Sequence, residues 1–162
     1  MINNKLRLRN QNRKNTGGFT IIEILIVVLL IGVLLTVLAL TYSGIRQREH
    51  NNTRISDIKL IQAHLETYYA VAGYYPTLAN MNNPAWIQKN LVGIDESTLI
   101  DPTSKSTVPV FSATPVKGEY TYAPAAADGS TVCNDKSVAC GSYVLSAALE
   151  GGAGTFSEKS LN

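Results

Sequence analysis

The residues that decide the fold are Thr16-Gly17-Gly18-Phe19-Thr20-Ile21-Ile22-Glu23, which open an apolar run that ends at Leu40. Two glycines precede the run, and an acid stands near its beginning. A carboxylate placed in lipid costs roughly 2.5–3.5 kcal/mol on insertion scales, so membrane spans normally exclude it. Glu23 therefore needs a partner, and the nature of that partner bears directly on function.

The apolar run is long enough to cross a membrane. Phe19 to Leu40 comprises 22 residues, which measure about 33 Å as an α-helix against a hydrocarbon core about 30 Å thick. After Glu23, only Gly32 and Thr36 interrupt the apolar residues. Five cations precede the run, and the positive-inside rule places them in the cytoplasm: Lys5, Arg7, Arg9, Arg13 and Lys14.

The net charge of +2 is a property of this basic leader. Five of the 14 basic residues lie within the first 18 residues, whereas all 12 acidic residues lie beyond them. Residues 19–162 therefore carry nine basic and 12 acidic side chains, and the basic ones are scattered. A scattered, slightly acidic pattern argues against nucleic-acid binding by this part of the chain.

The junction between the leader and the apolar run resembles the class III signal of type IV prepilins and pseudopilins. The resemblance implies a leader of residues 1–18, cleavage between Gly18 and Phe19 by a prepilin peptidase, and methylation of the new Phe19 amine. Gly18 suits a peptidase that approaches the backbone closely, because glycine presents no side chain.

Two other kinds of membrane segment remain open. A secretory signal peptide has a shorter apolar core with small residues after it, whereas here Gly17 and Gly18 come before it; Thr41-Tyr42-Ser43 is a weak alternative cleavage site. A plain signal anchor would span the membrane but does not explain the glycine pair followed by the acid.

Glu23 is predicted to fix the register of assembly. The hypothesis pairs its carboxylate with the Phe19 amine of a neighbouring subunit, because such a pair offsets the cost of burying either charge alone. The alternative is that Glu23 reaches the lipid headgroups near the start of its helix, where the helix dipole also favours an acid.

One helix is predicted from Thr20 to about Ala72. Residues 19–42 form its transmembrane half, and residues 43–75 form an amphipathic half and its end. The apolar stripe of that half is Ile45, Ile55, Ile58, Ile61, Leu65, Tyr68, Tyr69 and Ala72, and the other face is assigned Arg48, Arg54, Asp57, Lys59, Gln62 and Glu66. Gly73 and Pro76 predict the end of this helix. A break near Tyr42-Ser43-Gly44 into two unrelated helices is the alternative.

The remaining residues, 76–162, are predicted to form a globular head. A short helix is expected near residues 83–90, and strands are expected at residues 108–111, 119–123 and 142–149, with a flexible end or a final strand after them. The predicted fold class is α+β, the pilin fold, with the long helix packed on a small antiparallel sheet. Gly73-Tyr74-Tyr75-Pro76-Thr77 resembles the segment where pilin and pseudopilin helices meet their heads.

Cys133 and Cys140 are predicted to form a disulfide, because the head lies on the oxidising side of the membrane. A ring of this size contributes about 2.5 kcal/mol in the chain-entropy model. Two free thiols are the alternative. Two cysteines without a nearby histidine make a poor zinc site, so no metal site and no cofactor is predicted.

Other polar residues suggest no catalysis. Asp95, Glu96, Asp101 and Asp128 have the oxygen chemistry of calcium ligands, although their spacing is not diagnostic. His50 and His64 lie 14 residues apart on the helix and are assigned to packing or the polar face. No phosphate loop or nucleophile elbow occurs, so the protein is predicted not to be an enzyme.

The resemblance implies a structural subunit of a type IV pilus-like filament that serves adhesion, motility or DNA uptake. A type II secretion pseudopilin is the alternative. The implied partners are identical or related pilin subunits, the prepilin peptidase, an assembly platform protein with its ATPase, and membrane lipid. The precursor is expected in the cytoplasmic membrane as a single-pass protein, and the assembled filament outside the cell or in the periplasm.

Overall fold

A computed structural model describes residues 18–128, 133 and 138–162 of the chain. Residues 1–17 of the predicted leader (residues 1–18) lie outside the described residues. The helices are α1 (Ile21–Ala72), α2 (Leu78–Met81) and α3 (Pro84–Asn90), followed by a 3₁₀ turn at Glu96–Leu99. The strands are β1 (Phe111–Ser112), β2 (Tyr120–Ala126), β3 (Cys140–Ala148) and β4 (Thr155–Lys159). The chain divides into two compact units between Leu40 and Thr41.

Helix α1 confirms the predicted long helix from the membrane segment to the head. It runs for 52 residues without interruption. Gly73 follows its last residue in the left-handed conformation, with a φ of 77°, and the Gly73 amide donates to the Tyr69 carbonyl at 2.7 Å. Glycine adopts this conformation without the penalty that a Cβ would impose, so the predicted stop signal has a structural cause.

The four strands form one sheet in the order β1-β2-β3-β4. β2 and β3 are antiparallel, as are β3 and β4, and β4 is the final strand expected near the end of the chain. The sheet is nevertheless mixed, because β1 pairs with β2 in the parallel sense. The α+β fold class is therefore confirmed, and the expectation of a wholly antiparallel sheet is wrong.

Asn82 pairs with the outer edge of β1. Its side chain accepts a hydrogen bond from the Phe111 amide at 2.7 Å and donates to the Phe111 carbonyl at 2.9 Å. Asn82 therefore satisfies the free edge of β1 as a neighbouring strand would. A strand of two residues carries too little pattern for the sequence to reveal its direction.

The hydrophobic core of the head lies between α1 and the sheet. Helix α1 contributes Ile58, Ile61 and Leu65, all fully buried, and the sheet contributes Tyr120, Tyr122, Tyr143, Leu145 and Ala147. The predicted stripe is correct at these helix positions. It is wrong at Ile45, which is exposed, and the assignment of Arg54 and Asp57 to the outer face is wrong because both are buried.

Candidate functional site

The residues singled out at the amino terminus lie together at the start of α1. Gly18, Phe19 and Thr20 precede the helix, and the Phe19 side chain is 76% exposed. Glu23 lies in the first turn and is exposed as well. The peptide bond between Gly18 and Phe19 thus stands outside the helix, where its backbone is free of the helical hydrogen-bond ladder.

Thr20 caps helix α1, a role that the sequence analysis missed. Its side-chain oxygen accepts a hydrogen bond from the Glu23 amide at 3.3 Å, and its carbonyl accepts one from the Ile24 amide at 3.3 Å. The signal was present in the sequence, because Thr20-Ile21-Ile22-Glu23 fits the threonine-x-x-glutamate pattern of a capping box. The cap fixes Glu23 in the first turn, near the positive end of the helix dipole.

The helix that follows presents apolar side chains on every side. The large hydrophobic residues between Ile21 and Leu38 are all exposed, and α1 contains a segment long and apolar enough to cross a membrane. A patch of this size on the surface of a protein marks contact with a membrane or with other protein. The Thr36 hydroxyl donates to the Gly32 carbonyl at 2.9 Å, so this polar side chain is satisfied within the helix.

Cys133 and Cys140 are joined by a disulfide in the head, as predicted. The intervening residues 134–137 lie outside the described residues. Cys140 begins β3, and its carbonyl accepts a hydrogen bond from the Tyr75 amide at 2.8 Å. The disulfide is therefore attached to the segment that follows α1 and lies apart in sequence from Gly18, Phe19 and Glu23.

An ion cluster built around the buried side chains of Arg54 and Asp101 joins α1 to two loops of the head. We call it the Arg54 cluster; it consists of Arg54, Asp101, Glu150, Asn51 and Thr103. The guanidinium makes two bonds to the Asp101 carboxylate at 2.6 and 3.0 Å and a third to Glu150 at 2.9 Å. Bonds to Asn51 and Thr103 bring the total to five, which matches its five N–H donors.

The opposite charges of the Arg54 cluster stabilise one another's ionised forms. Burial opposes ionisation of Asp101, but hydrogen bonds from Arg54 and Thr103 outweigh that effect and lower the pKa of its carboxyl below the ordinary value. The hydrogen bond from Arg54 to Asp101 in turn raises the pKa of the guanidinium. The neighbouring Asp57 behaves oppositely: burial raises the pKa of its carboxyl, although it accepts a hydrogen bond from the Tyr120 hydroxyl at 2.6 Å.

Two of the four calcium candidates, Asp101 and Asp95, make other contacts. Both carboxylate oxygens of Asp101 accept from Arg54, and Asp95 caps the 3₁₀ turn by accepting from the Ser97 amide at 2.8 Å. Within the described residues, no group of three or more histidine, cysteine or acidic side chains could hold a metal ion. His50 contacts Glu150 at 3.0 Å.

A second group of polar contacts involves Glu66, farther along α1. Its carboxylate accepts hydrogen bonds from the hydroxyls of Tyr75 and Tyr143, both at 2.8 Å. It also accepts from the Leu161 amide at 3.3 Å and the Asn162 side chain at 3.1 Å. Glu66 was assigned to the outer face of the helix, but it is half-buried and binds β3 and residues 161–162 to α1.

Comparison with known proteins identifies the amino-terminal region. Residues 13–39 match the family described as the prokaryotic N-terminal methylation motif. No curated protein and no solved structure matches the chain significantly. The matched residues include Gly18, Phe19, Thr20 and Glu23 and most of the exposed apolar helix. The chain therefore carries at its amino terminus the class III signal peptide of type IV pilins and pseudopilins, joined to an α+β head consistent with the pilin fold.

Proposed function

We propose that this protein is a structural subunit of a type IV pilus-like filament. The observation that carries the proposal is the methylation motif, which extends from residue 13 to residue 39 and so includes most of a helical segment whose apolar side chains are exposed on every side. A prepilin peptidase cuts the precursor between Gly18 and Phe19, and the new Phe19 amine is methylated. The mature helix then leaves the membrane and packs against the helices of neighbouring subunits, driven by an ATPase through a platform protein.

Assembly in this proposal depends on packing and on one charge pair. Lipid tails are as apolar as leucine, so the hydrophobic effect alone favours neither the membrane nor the filament core. The Glu23 carboxylate and the Phe19 ammonium of a neighbour supply a directional attraction that lipid cannot offer. This pair sets the axial position of each subunit.

Processing is tested by intact mass and amino-terminal sequencing of membrane and sheared-surface fractions. A chain that begins at methylated Phe19 and is abundant in the sheared fraction is the expected result. A chain that retains residues 1–18 in cells with an active prepilin peptidase would contradict the proposal and make the segment an ordinary anchor.

The register role is tested with Glu23→Ala. This variant is expected to be expressed and cleaved but to give fewer filaments than the wild type. Glu49→Ala is the matched control, because Glu49 is another exposed acid of α1 but lies beyond the apolar run. Filament yields that are equal for Glu23→Ala and Glu49→Ala would show that Glu23 does not set the register.

A type II secretion pseudopilin is the second candidate. The segment Gly73-Tyr74-Tyr75-Pro76-Thr77 favours it, since this segment joins α1 to the head and resembles the corresponding segment of pseudopilins. The Pro76 carbonyl accepts a hydrogen bond from the buried Tyr122 hydroxyl at 2.7 Å. The disulfide favours the pilus. Mature chain confined to the membrane fraction, with protein export lost on deletion of the gene, would select the pseudopilin.

A further inference from the structure

An aromatic side chain and an arginine form a pair just beyond the apolar run. The Arg46 guanidinium lies over the Tyr42 ring, 5.7 Å from its centroid. Both residues are exposed, and within the described residues Arg46 forms no ion pair with an acid. The cation–π contact orients the arginine head, and no residue in the described part of the chain takes its N–H donors, which can therefore bind an anion.

The direction of the arginine side chain matters for what it can reach. Side chains of an α-helix point toward its amino terminus, so Arg46 extends back toward Leu40 and the apolar run. Its guanidinium consequently lies at the level of Tyr42, one turn before its own backbone. Tyrosine rings are enriched where membrane spans leave the hydrocarbon, and arginine stems bury their methylenes while the charged head reaches the phosphates.

We propose that Tyr42 and Arg46 form a binding site for a phospholipid headgroup at the outer end of the membrane span. Arg46 donates hydrogen bonds to the headgroup phosphate, and Tyr42 lies in the interfacial layer beneath it. The proposal rests on the proposed function, which places the unassembled subunit in the cytoplasmic membrane with its head outside.

The site determines how deep Glu23 lies in the membrane before assembly. The stretch from Glu23 to Tyr42 rises about 28 Å as an α-helix, close to the thickness of the hydrocarbon core. With Tyr42 held at the outer headgroups, Glu23 lies at the inner headgroups, where water still solvates its carboxylate. Outward movement of the subunit releases Arg46 from its phosphate and draws Glu23 into hydrocarbon, so the Phe19 amine of a neighbour is needed at that moment.

The test measures the depth of a single spin label in vesicles. The native cysteines are joined in a disulfide, so Ser43→Cys provides the sole reactive thiol of the full chain. The label's collisions with oxygen and with a water-soluble nickel chelate report its depth. The vesicles contain phosphatidylcholine, alone or mixed with phosphatidylglycerol.

The label is expected at headgroup depth, and Arg46→Gln is expected to displace it. Each arginine near an anionic surface strengthens binding about fivefold, so the displacement should be larger in phosphatidylglycerol. Tyr42→Phe should retain the wild-type depth, whereas Tyr42→Ala should lose it. Arg48→Gln is the matched control, since it removes the same charge from an exposed residue that makes no cation–π contact among the described residues.

The outcomes separate this inference from the proposed function. Equal depths for wild type, Arg46→Gln and Arg48→Gln would overturn the headgroup site, and so would equal displacement by both substitutions. A label that lies in bulk water in every variant would instead show that the apolar run does not enter the membrane, which contradicts the proposed function itself.

Discussion

Removal of the Arg54 side-chain charge should destabilise the head more than any other change to the charge of α1. Arg54→Met deletes five hydrogen bonds and leaves the Asp101 side chain, which is 1% exposed, without its counter-charge. Loss of one partner from a buried ion pair typically costs about 3–5 kcal/mol. We expect a loss in that range in the free energy of unfolding.

The measurement is denaturant unfolding of the full chain in detergent micelles, followed by fluorescence of Trp86, the sole tryptophan. Lys59→Met is the matched control, because Lys59 is an exposed cation of the same helix and the loss of its contact with the Phe156 ring should cost at most about 1 kcal/mol. The double variant Arg54→Met with Asp101→Asn should recover part of the loss, because the neutral asparagine removes the most deeply buried charge that Arg54 had neutralised. Equal stability of Arg54→Met and Lys59→Met would refute the reasoning.

Three further predictions concern the head. Gly141→Ala should lower the free energy of unfolding by about 1–3 kcal/mol, because its Cβ would lie 2.4–2.8 Å from atoms of Ala127. Gly44→Ala lies in open space within α1 and should instead stabilise the helix by up to about 1 kcal/mol. Thermal unfolding of the two variants distinguishes these effects. Cys133→Ser with Cys140→Ser should lower the unfolding free energy by about 2.5 kcal/mol, measured against the oxidised wild type with and without reductant. The pKa of Asp101 is lowered in the folded state, so the stability that Asp101 contributes is present above the ordinary carboxyl pKa and is lost as the pH falls through its folded pKa. The pKa of Asp57 is raised, so the contribution of Asp57 is lost as the pH rises through its own folded pKa. The free energy of unfolding of Asp57→Asn should therefore increase relative to that of the wild type as the pH rises through this range. A difference between the two proteins that does not change with pH would contradict the raised pKa of Asp57.

Hydrophobic periodicity and helix-stop residues were sufficient to predict the main elements of the fold. The apolar run, the stripe at Ile58, Ile61 and Leu65, and the stop at Gly73 together predicted helix α1. Alternation around Tyr120 and Tyr122 predicted β2, and both side chains are buried. These features could be read from the sequence because each depends on neighbouring residues and on a regular period.

Features that depend on distant partners were not predicted. Arg54 and Asp57 look like surface residues in the sequence, and only the carboxylate of Asp101 and the hydroxyl of Tyr120 explain their burial. Likewise, Asn82 bonds the backbone of β1 at Phe111 from 29 residues away. The hydrophobic pattern of a sequence does not show which distant residues pair, so it assigns buried polar residues such as these to the surface.

Two of the polar attachments between α1 and the head have a mechanical consequence. Arg54 and Glu66 bind the head at points about 18 Å apart along the helix, and each does so through several hydrogen bonds. Tension applied along the helix axis therefore loads both attachments at once, in shear. A subunit pulled by its helix should transmit that tension to its head while the sheet stays folded.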